Sequence, residues 1–393
     1  MVLENEGPAA PDDRVRQVQA NEHEADVARV RPLKGFVTYG PRQSLTSFRT
    51  SRDALADLGT EIDLVSFRSS GFMAKITEPL RHARIVGQLR NKPYDFAILN
   101  SGASLIAEPR LVVRLVEECR HRQIPTFVLW RNARVKLERL RRRMGARRFD
   151  RSAAALRDAA LRHLAISERA AEDVAEFLGV SRAEVIYNCQ RLPAEHLTLR
   201  EPEDPPLILN VATASRRKRP DLFVEVAARV CRRHASARFV WLGSAAPSTV
   251  QRQIDAHGLG ERCTFLPFDP DPFRYMAACS VFLLTSEQEG FGLVVAEAMA
   301  CGRTPIVFAG TGAEEVASST GRAVAHGDVD AMADAVLEVI DVPPDARINP
   351  AARQRYLDTF APKAYAARLD GLIRRTLDGA SDPRRVEGAP SKL

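Results

Sequence analysis

The 393-residue chain has little lysine, few aromatic side chains and no long apolar run. No stretch approaches the roughly 20 apolar residues of a membrane-spanning helix. The opening MVLENEGPAAPDD is polar and acidic, so it lacks the basic start and apolar middle of a secretory leader. The six cysteines, at 119, 189, 231, 263, 279 and 301, contain no C-x-x-C pair. That excludes a zinc ribbon and gives no disulfide framework; reduced thiols in a cytoplasmic protein are expected. Lysine occurs 7 times against 50 arginines, so scattered arginines carry no message and only clusters do.

What is present is ordinary globular material: 45% hydrophobic and 27% charged residues, enough for a sizeable core. The formal net charge of +7 admits an anionic partner without naming one. Residues 1–31 are charged and aperiodic and read as an arm, and 378–393 as a similar tail. The tail closes on Ser391-Lys392-Leu393, which matches a peroxisomal address; coincidence is the preferred reading.

Between the ends, short apolar runs alternate with helical patterns. GFVTYG (35–40), EIDLVSF (61–67), YDFAILN (94–100), IPTFVLW (124–130), RHLAIS (162–167) and EVIYN (184–188) are continuous enough for buried parallel strands. A proline-rich, charged linker follows at 192–206. LILNVAT (207–213), ARFVWLG (237–243), CTFLPF (263–268), VFLLT (281–285) and TPIVFAG (304–310) then repeat the pattern. The expectation is α/β: two doubly wound, Rossmann-like parallel-sheet domains, 32–191 and 207–345, facing a cleft. A helix over 346–377 is expected to pack back on the first domain.

The segment that carries chemistry is TSEQEGFGLVVAEAMACG, 285–302. An apolar strand leads into Gly290-Phe291-Gly292, and a strong helix former starts at Leu293. A glycine loop opening a helix offers bare amide N–H groups at a positive dipole end, which suits a diphosphate. Glu289 and Glu297 flank that loop. A carboxylate does not hold phosphate, but it accepts hydrogen bonds from a sugar diol. Two acids around a diphosphate loop suggest a ligand with a sugar on either side, a nucleotide-sugar. A plain strand-to-helix turn with solvated glutamates is the alternative.

This stretch resembles the retaining glycosyltransferases of the GT-B fold, family four. The shared pattern runs through Ser286, Glu289, Gly290, Phe291, Gly292, Leu293, Glu297, Ala298, Met299, Ala300, Gly302 and Pro305, with one extra residue before the proline. Further similarity lies in NVATASRRKRPDLFVEVA with Lys218, in Gly243, in the turn Thr311-Gly312-Ala313-Glu314-Glu315, and in the first domain at Ser167 and Asn188. The resemblance implies that Glu297 binds the ribose, Glu289 contacts the donor sugar, and the amides of Phe291, Gly292 and Leu293 hold the diphosphate. Lys218 would neutralise charge on the leaving phosphate, a role that stabilises the transition state selectively. No metal and no cofactor beyond the nucleoside diphosphate sugar are expected.

Three positions depart from the family pattern. Thr213 stands where arginine is usual, with Arg216 or Arg217 as substitutes. The first-domain loop Gly40-Pro41-Arg42 has one glycine rather than a pair. Trp130-Arg131-Asn132 stands where many members have a histidine. Gly40, Arg42 and Asn132 are therefore the acceptor-side candidates, for a glycan or lipid-linked hydroxyl acceptor. Residues 131–151 hold ten Arg/Lys and two acids, more than the whole net charge. Leu137, Leu140 and Met144 form a narrow apolar stripe there, so one reading is docking on an anionic membrane at the inner face; a solvated helix is another. A non-catalytic nucleotide-sugar or partner binder stays open as an alternative. An arginine-driven nucleic-acid binder does not explain the two acids around the loop, and nucleic acid is not expected.

Overall fold

A computed structural model describes residues 31–39, 46–67, 78–100, 102–131, 134–180, 183–193, 196 and 198–380. Gly40, Arg42, Asn132 and the terminal Ser391-Lys392-Leu393 lie outside them. Twelve strands among these residues form two six-stranded sheets, and every recorded pairing is parallel.

The first sheet contains β1 (Leu33–Tyr39), β2 (Thr60–Ser66), β3 (Phe96–Asn100), β4 (Thr126–Trp130), β5 (Leu161–Ala165) and β6 (Glu184–Val185), in the order β2-β1-β3-β4-β5-β6. The second contains β7 (Leu207–Val211), β8 (Arg238–Gly243), β9 (Cys263–Pro267), β10 (Val281–Leu284), β11 (Thr304–Phe308) and β12 (Arg322–Val324). Its order, β12-β11-β10-β7-β8-β9, reverses direction between β7 and β10. At such a reversal, neighbouring strands send their connections to opposite faces and leave a crevice at their carboxyl ends. The loops after β7 and β10, far apart in sequence, therefore emerge side by side. The first sheet reverses between β1 and β3.

The central strands β3, β4, β10 and β11 are buried on both faces, which is why they read as unbroken apolar runs. Only β12 has no such run: its three residues, Arg322–Val324, are exposed or half-buried at a sheet edge. One hydrophobic cluster fills the outer side of the first domain and another that of the second. A third runs continuously from Leu33, Val37 and Phe48 through Phe282, Phe291 and Val295 to Tyr365 and Ile373. The two domains thus share a core across their boundary.

The C-terminal helix Pro362–Ala380 belongs to that shared core. Tyr365 meets Phe48 edge-on with ring centroids 6.2 Å apart. The Thr60 hydroxyl donates to Asp370 Oδ1 at 2.5 Å, and Arg374 donates to the Leu58 carbonyl at 3.0 Å. The stretch 192–206 is strapped down. The Glu203 amide donates to the Ala278 carbonyl at 2.8 Å, and buried Arg303 donates to the carbonyls of Arg200 and Ala277 at 2.5 and 2.6 Å.

The basic segment differs from the expected single amphipathic helix. It breaks at Gly145, whose φ of 81° ends one helix, Arg134–Met144, before the next, Ala146–Ala155. Leu137 is fully buried, and Leu140 and Met144 pack on the first-domain core. The apolar stripe is therefore consumed by the protein's own interior and is not available for insertion among lipids. No helix among the described residues is long and apolar enough to cross a membrane.

Trp241 ties the second domain's core to its crevice. Its ring stacks on Phe265 at 5.4 Å and meets Phe223 edge-on at 5.3 Å, while its Nε1–H donates to the Ala212 carbonyl at 2.7 Å. Trp241→Ala is expected to cost about 3–5 kcal/mol, the range for truncating a large buried aromatic. Urea unfolding followed by circular dichroism measures this; a loss below about 1 kcal/mol contradicts the packing described.

Candidate active site

The crevice of the second sheet is built by close approach of backbone. At the end of β8, Gly243 has φ 134°, and a Cβ there would lie 2.6 Å from the Ala212 carbonyl oxygen. Only glycine lets these two strand ends lie together. The chain after β7 then turns through a short 3₁₀ segment, Arg216–Lys218, from which Arg217 and Lys218 reach the neighbouring loop. Thr285 at the end of β10 locks the turn by donating to the carbonyls of Lys218 and Arg219 at 3.0 and 3.1 Å. The Glu287 amide adds a bond to the Arg217 carbonyl at 2.9 Å.

The result is an ion-paired centre. Lys218 Nζ donates to Glu289 Oε1, and Arg217 donates to the same carboxylate oxygen at 3.2 Å and to the Gln288 carbonyl at 2.5 Å. Lys218 and Glu289 side chains are each mostly buried, 15% and 12% exposed, so their charges meet in a medium poorer in water than the surface. Arg216 is exposed and, among the described residues, has no side-chain partner. Thr213 is exposed on the approach to this turn, and its hydroxyl takes no part in the pairing.

The glycine loop sits directly beyond Glu289. Gly292 adopts φ 86° and opens the helix Leu293–Ala300. The Val295 amide is taken by the Gly292 carbonyl, and the first-turn amides before it have no carbonyl within the helix to bond. Phe291 turns inward, with its ring 6.1 Å from Tyr187 and 5.6 Å from Phe360. Its side chain anchors the loop. Gly312 supports the loop from beneath: its N–H donates to the Glu289 carbonyl at 2.8 Å, and a Cβ there would sit 2.5 Å from the Gly290 carbonyl oxygen.

Glu297 lies in the second turn of that helix, half-buried and with no hydrogen-bond or ion-pair partner among the described residues. Burial pushes its carboxyl up to about 7. Its carboxyl oxygens are left able to accept hydrogen bonds.

The first domain reaches this loop directly. Ser167 caps the helix Glu168–Leu178, accepting from the Ala170 amide at 3.1 Å, and donates to the Gly290 carbonyl at 2.9 Å. Glu315 reaches across in return: its carboxylate accepts from the Glu168 amide at 2.7 and 2.9 Å, a negative charge on a helix N-terminus. Ser167 and Glu315 stand in the family motifs without a role that the sequence assigns; their partners, the Gly290 carbonyl and the Glu168 amide, come from the tertiary structure.

Arg131 was grouped with the surface cluster, yet it turns inward at the end of β4. Its Nε donates to Asn100 Oδ1 at 3.0 Å and its Nη1 to Asn188 Oδ1 at 2.8 Å. The one available signal was position: Arg131 follows the strand immediately and precedes the basic helix. Arg134 is also no free surface charge, since Glu138 and Glu176 hold it at 3.0 and 2.7 Å.

Two outcomes follow. Because Glu297 has a higher pKa folded than its ordinary value near 4.5, the native state holds a proton that the unfolded chain has released. Stability should therefore fall as pH rises from about 4.5 to about 7, and Glu297→Gln should remove that part of the fall in pH-dependent thermal unfolding. Gly312→Ala should displace the Gly290 carbonyl and weaken binding of nucleoside diphosphates at least tenfold in calorimetric titration, with overall helicity unchanged.

Residues 194–355 match the model of the family Glycosyl transferases group 1. D-inositol 3-phosphate glycosyltransferase of Mycolicibacterium paratuberculosis is 32% identical over 200 residues, 48% of this chain and 44% of the relative. Its Mycolicibacterium smegmatis counterpart is 30% identical over 199 residues, with the same shares. The aligned part thus spans less than half the length of these relatives. Among solved structures, sucrose-phosphate synthase from Thermosynechococcus elongatus superposes with a TM-score of 0.66 at 18% identity, covering 89% of this chain and 100% of the other. Anabaena HepE in complex with UDP and glucose gives 0.61 at 15% identity, covering 87% and 99%. The family match covers the domain that carries Lys218, Glu289 and Glu297, and the two domains together have the GT-B architecture of these solved structures: residues 194–355 are similar to the group 1 glycosyltransferases.

Proposed function

We propose that the protein transfers a sugar, with retention of anomeric configuration, from a nucleoside diphosphate sugar to a hydroxyl acceptor, without a metal ion. The observation that carries this reading is the meeting of Lys218 and Glu289 beside the glycine loop. A cation stands where a leaving diphosphate gains charge, and a carboxylate stands where the sugar would be held. The solved complexes of Anabaena HepE with UDP and with UDP-glucose support the donor class.

In this reading the first-turn amides after Gly292 and the Lys218 ammonium bind the diphosphate. Donor entry replaces the Lys218–Glu289 contact, freeing Glu289 to accept hydrogen bonds from the sugar. As the glycosidic bond breaks, negative charge builds on the phosphate oxygen nearest Lys218, and Arg216 and Arg217 extend the positive field. The protein supplies these cations itself, which is why no metal is invoked. The acceptor hydroxyl attacks on the face from which the phosphate leaves, and the departing phosphate takes its proton. Residues 131–151 retain an exposed arginine face for an anionic surface, by charge alone.

Lys218→Ala is expected to lower turnover by about 100- to 1,000-fold, the usual effect of removing a preorganised charge from a transition state. Glu289→Ala should abolish transfer while leaving nucleoside diphosphate binding within tenfold. Turnover unchanged in Glu289→Ala, read by release of nucleoside diphosphate, sinks the assignment. Donor affinity should rise with pH through about 7 as Glu297 ionises, and Glu297→Gln should flatten that dependence.

A further inference from the structure

The carboxyl ends of the first sheet hold a positive charge with nothing to balance it. Arg131 spends its Nε and Nη1 on two neutral amide oxygens, of Asn100 and Asn188. Its Nη2 is buried and has no hydrogen-bond partner. No carboxylate forms an ion pair with it among the described residues. The groups that favour its charge are the Tyr365 phenol and the Cys189 thiol, both neutral near pH 7, and burial works against the charged form. An isolated guanidinium removed from water is costly, and folds normally answer one with an acid. Arg303, which is fully buried, donates to three backbone carbonyls, of Met276, Arg200 and Ala277, and leaves only its Nη1 without a partner.

A second donor sits in the same place without an acceptor. Tyr365, on the C-terminal helix, is 1% exposed, and its hydroxyl has no hydrogen-bond partner. The two groups lie close enough that a charge on either would be felt by the other. The site is bounded by Asn188, whose Oδ1 also accepts from Ser47 at 3.0 Å, and by Cys189. It adjoins the donor loop: a Cβ on Gly290 would lie 3.8 Å from the Arg131 carbonyl oxygen. Two buried donors, one of them charged, and no acidic acceptor describe a seat for an anion beside the presumed transfer site.

We propose that Arg131 and Tyr365 seat an oxyanion carried by the acceptor, so that the preferred acceptor is a phosphorylated or carboxylated hydroxyl compound. The inference rests on the transfer reading for the word acceptor; the anion seat itself does not. A guanidinium N–H and a phenol O–H both donate to the oxyanion, and its charge neutralises Arg131. The Asn100 and Asn188 oxygens hold the guanidinium in orientation.

The test uses the full chain and inorganic phosphate, with acetate as the carboxylate arm and chloride matching ionic strength. A ligand that binds only the native state raises its midpoint with concentration, by a few degrees for each tenfold rise above the dissociation constant. Wild-type protein should show this rise with phosphate or acetate beyond the chloride control, and the anion that gives the larger rise names the acceptor class. Arg131→Met should lose it. Tyr365→Phe, which removes only the hydroxyl, should weaken it at least threefold and guards against misfolding of the arginine variant. Lys218→Ala, at the donor loop, should retain it. A response unchanged in both Arg131→Met and Tyr365→Phe overturns the seat, as does no response beyond chloride in wild type. Because binding is read without turnover, an intact response in a protein with no transferase activity counts against the transfer reading alone.

Discussion

The site depends on one topological constraint: the reversal of strand order between β7 and β10. Parallel strands with right-handed crossovers leave their carboxyl ends open only where the winding changes direction. That reversal brings Lys218 and Glu289, 71 residues apart in sequence, into an ion pair. Gly243, Gly292 and Gly312 then remove the side chains that would hold the loops apart. The chemistry proposed for the crevice needs no special local sequence beyond these cations, acids and glycines, set by the sheet beneath them.

The second constraint is the shared core. Phe291 anchors the glycine loop by packing on Tyr187 from the first domain and Phe360 from the segment leading to the C-terminal helix. Ser167 and Glu315 exchange hydrogen bonds across the same boundary. The donor loop is thus held by both domains at once. Any relative movement of the domains would be felt at Gly290, Phe291 and Glu315, where the first domain touches the second.

Much of this was legible in the residues. Unbroken apolar runs such as VFLL and TFVLW announced buried parallel strands, because both faces of such sheets are covered. The spacing from Glu289 to Glu297 identified the loop and the family. What escaped notice did so for physical reasons. β12 has no apolar run because it lies at an edge. Arg131 looks like its exposed neighbours, since a one-dimensional charge count cannot tell an inward side chain from an outward one. The stripe of Leu137, Leu140 and Met144 has the same spacing whether it meets lipid or a protein core, and here the core takes it.

The central claim is that the Lys218–Glu289–Glu297 crevice holds a nucleoside diphosphate sugar. Calorimetric titration of the full chain with a panel of such donors, differing in base and sugar, tests it most directly. The account predicts one site per chain for at least one donor, weakened at least tenfold by Lys218→Ala and by Glu297→Gln. Absence of binding across the panel, or binding indifferent to both substitutions, would contradict it.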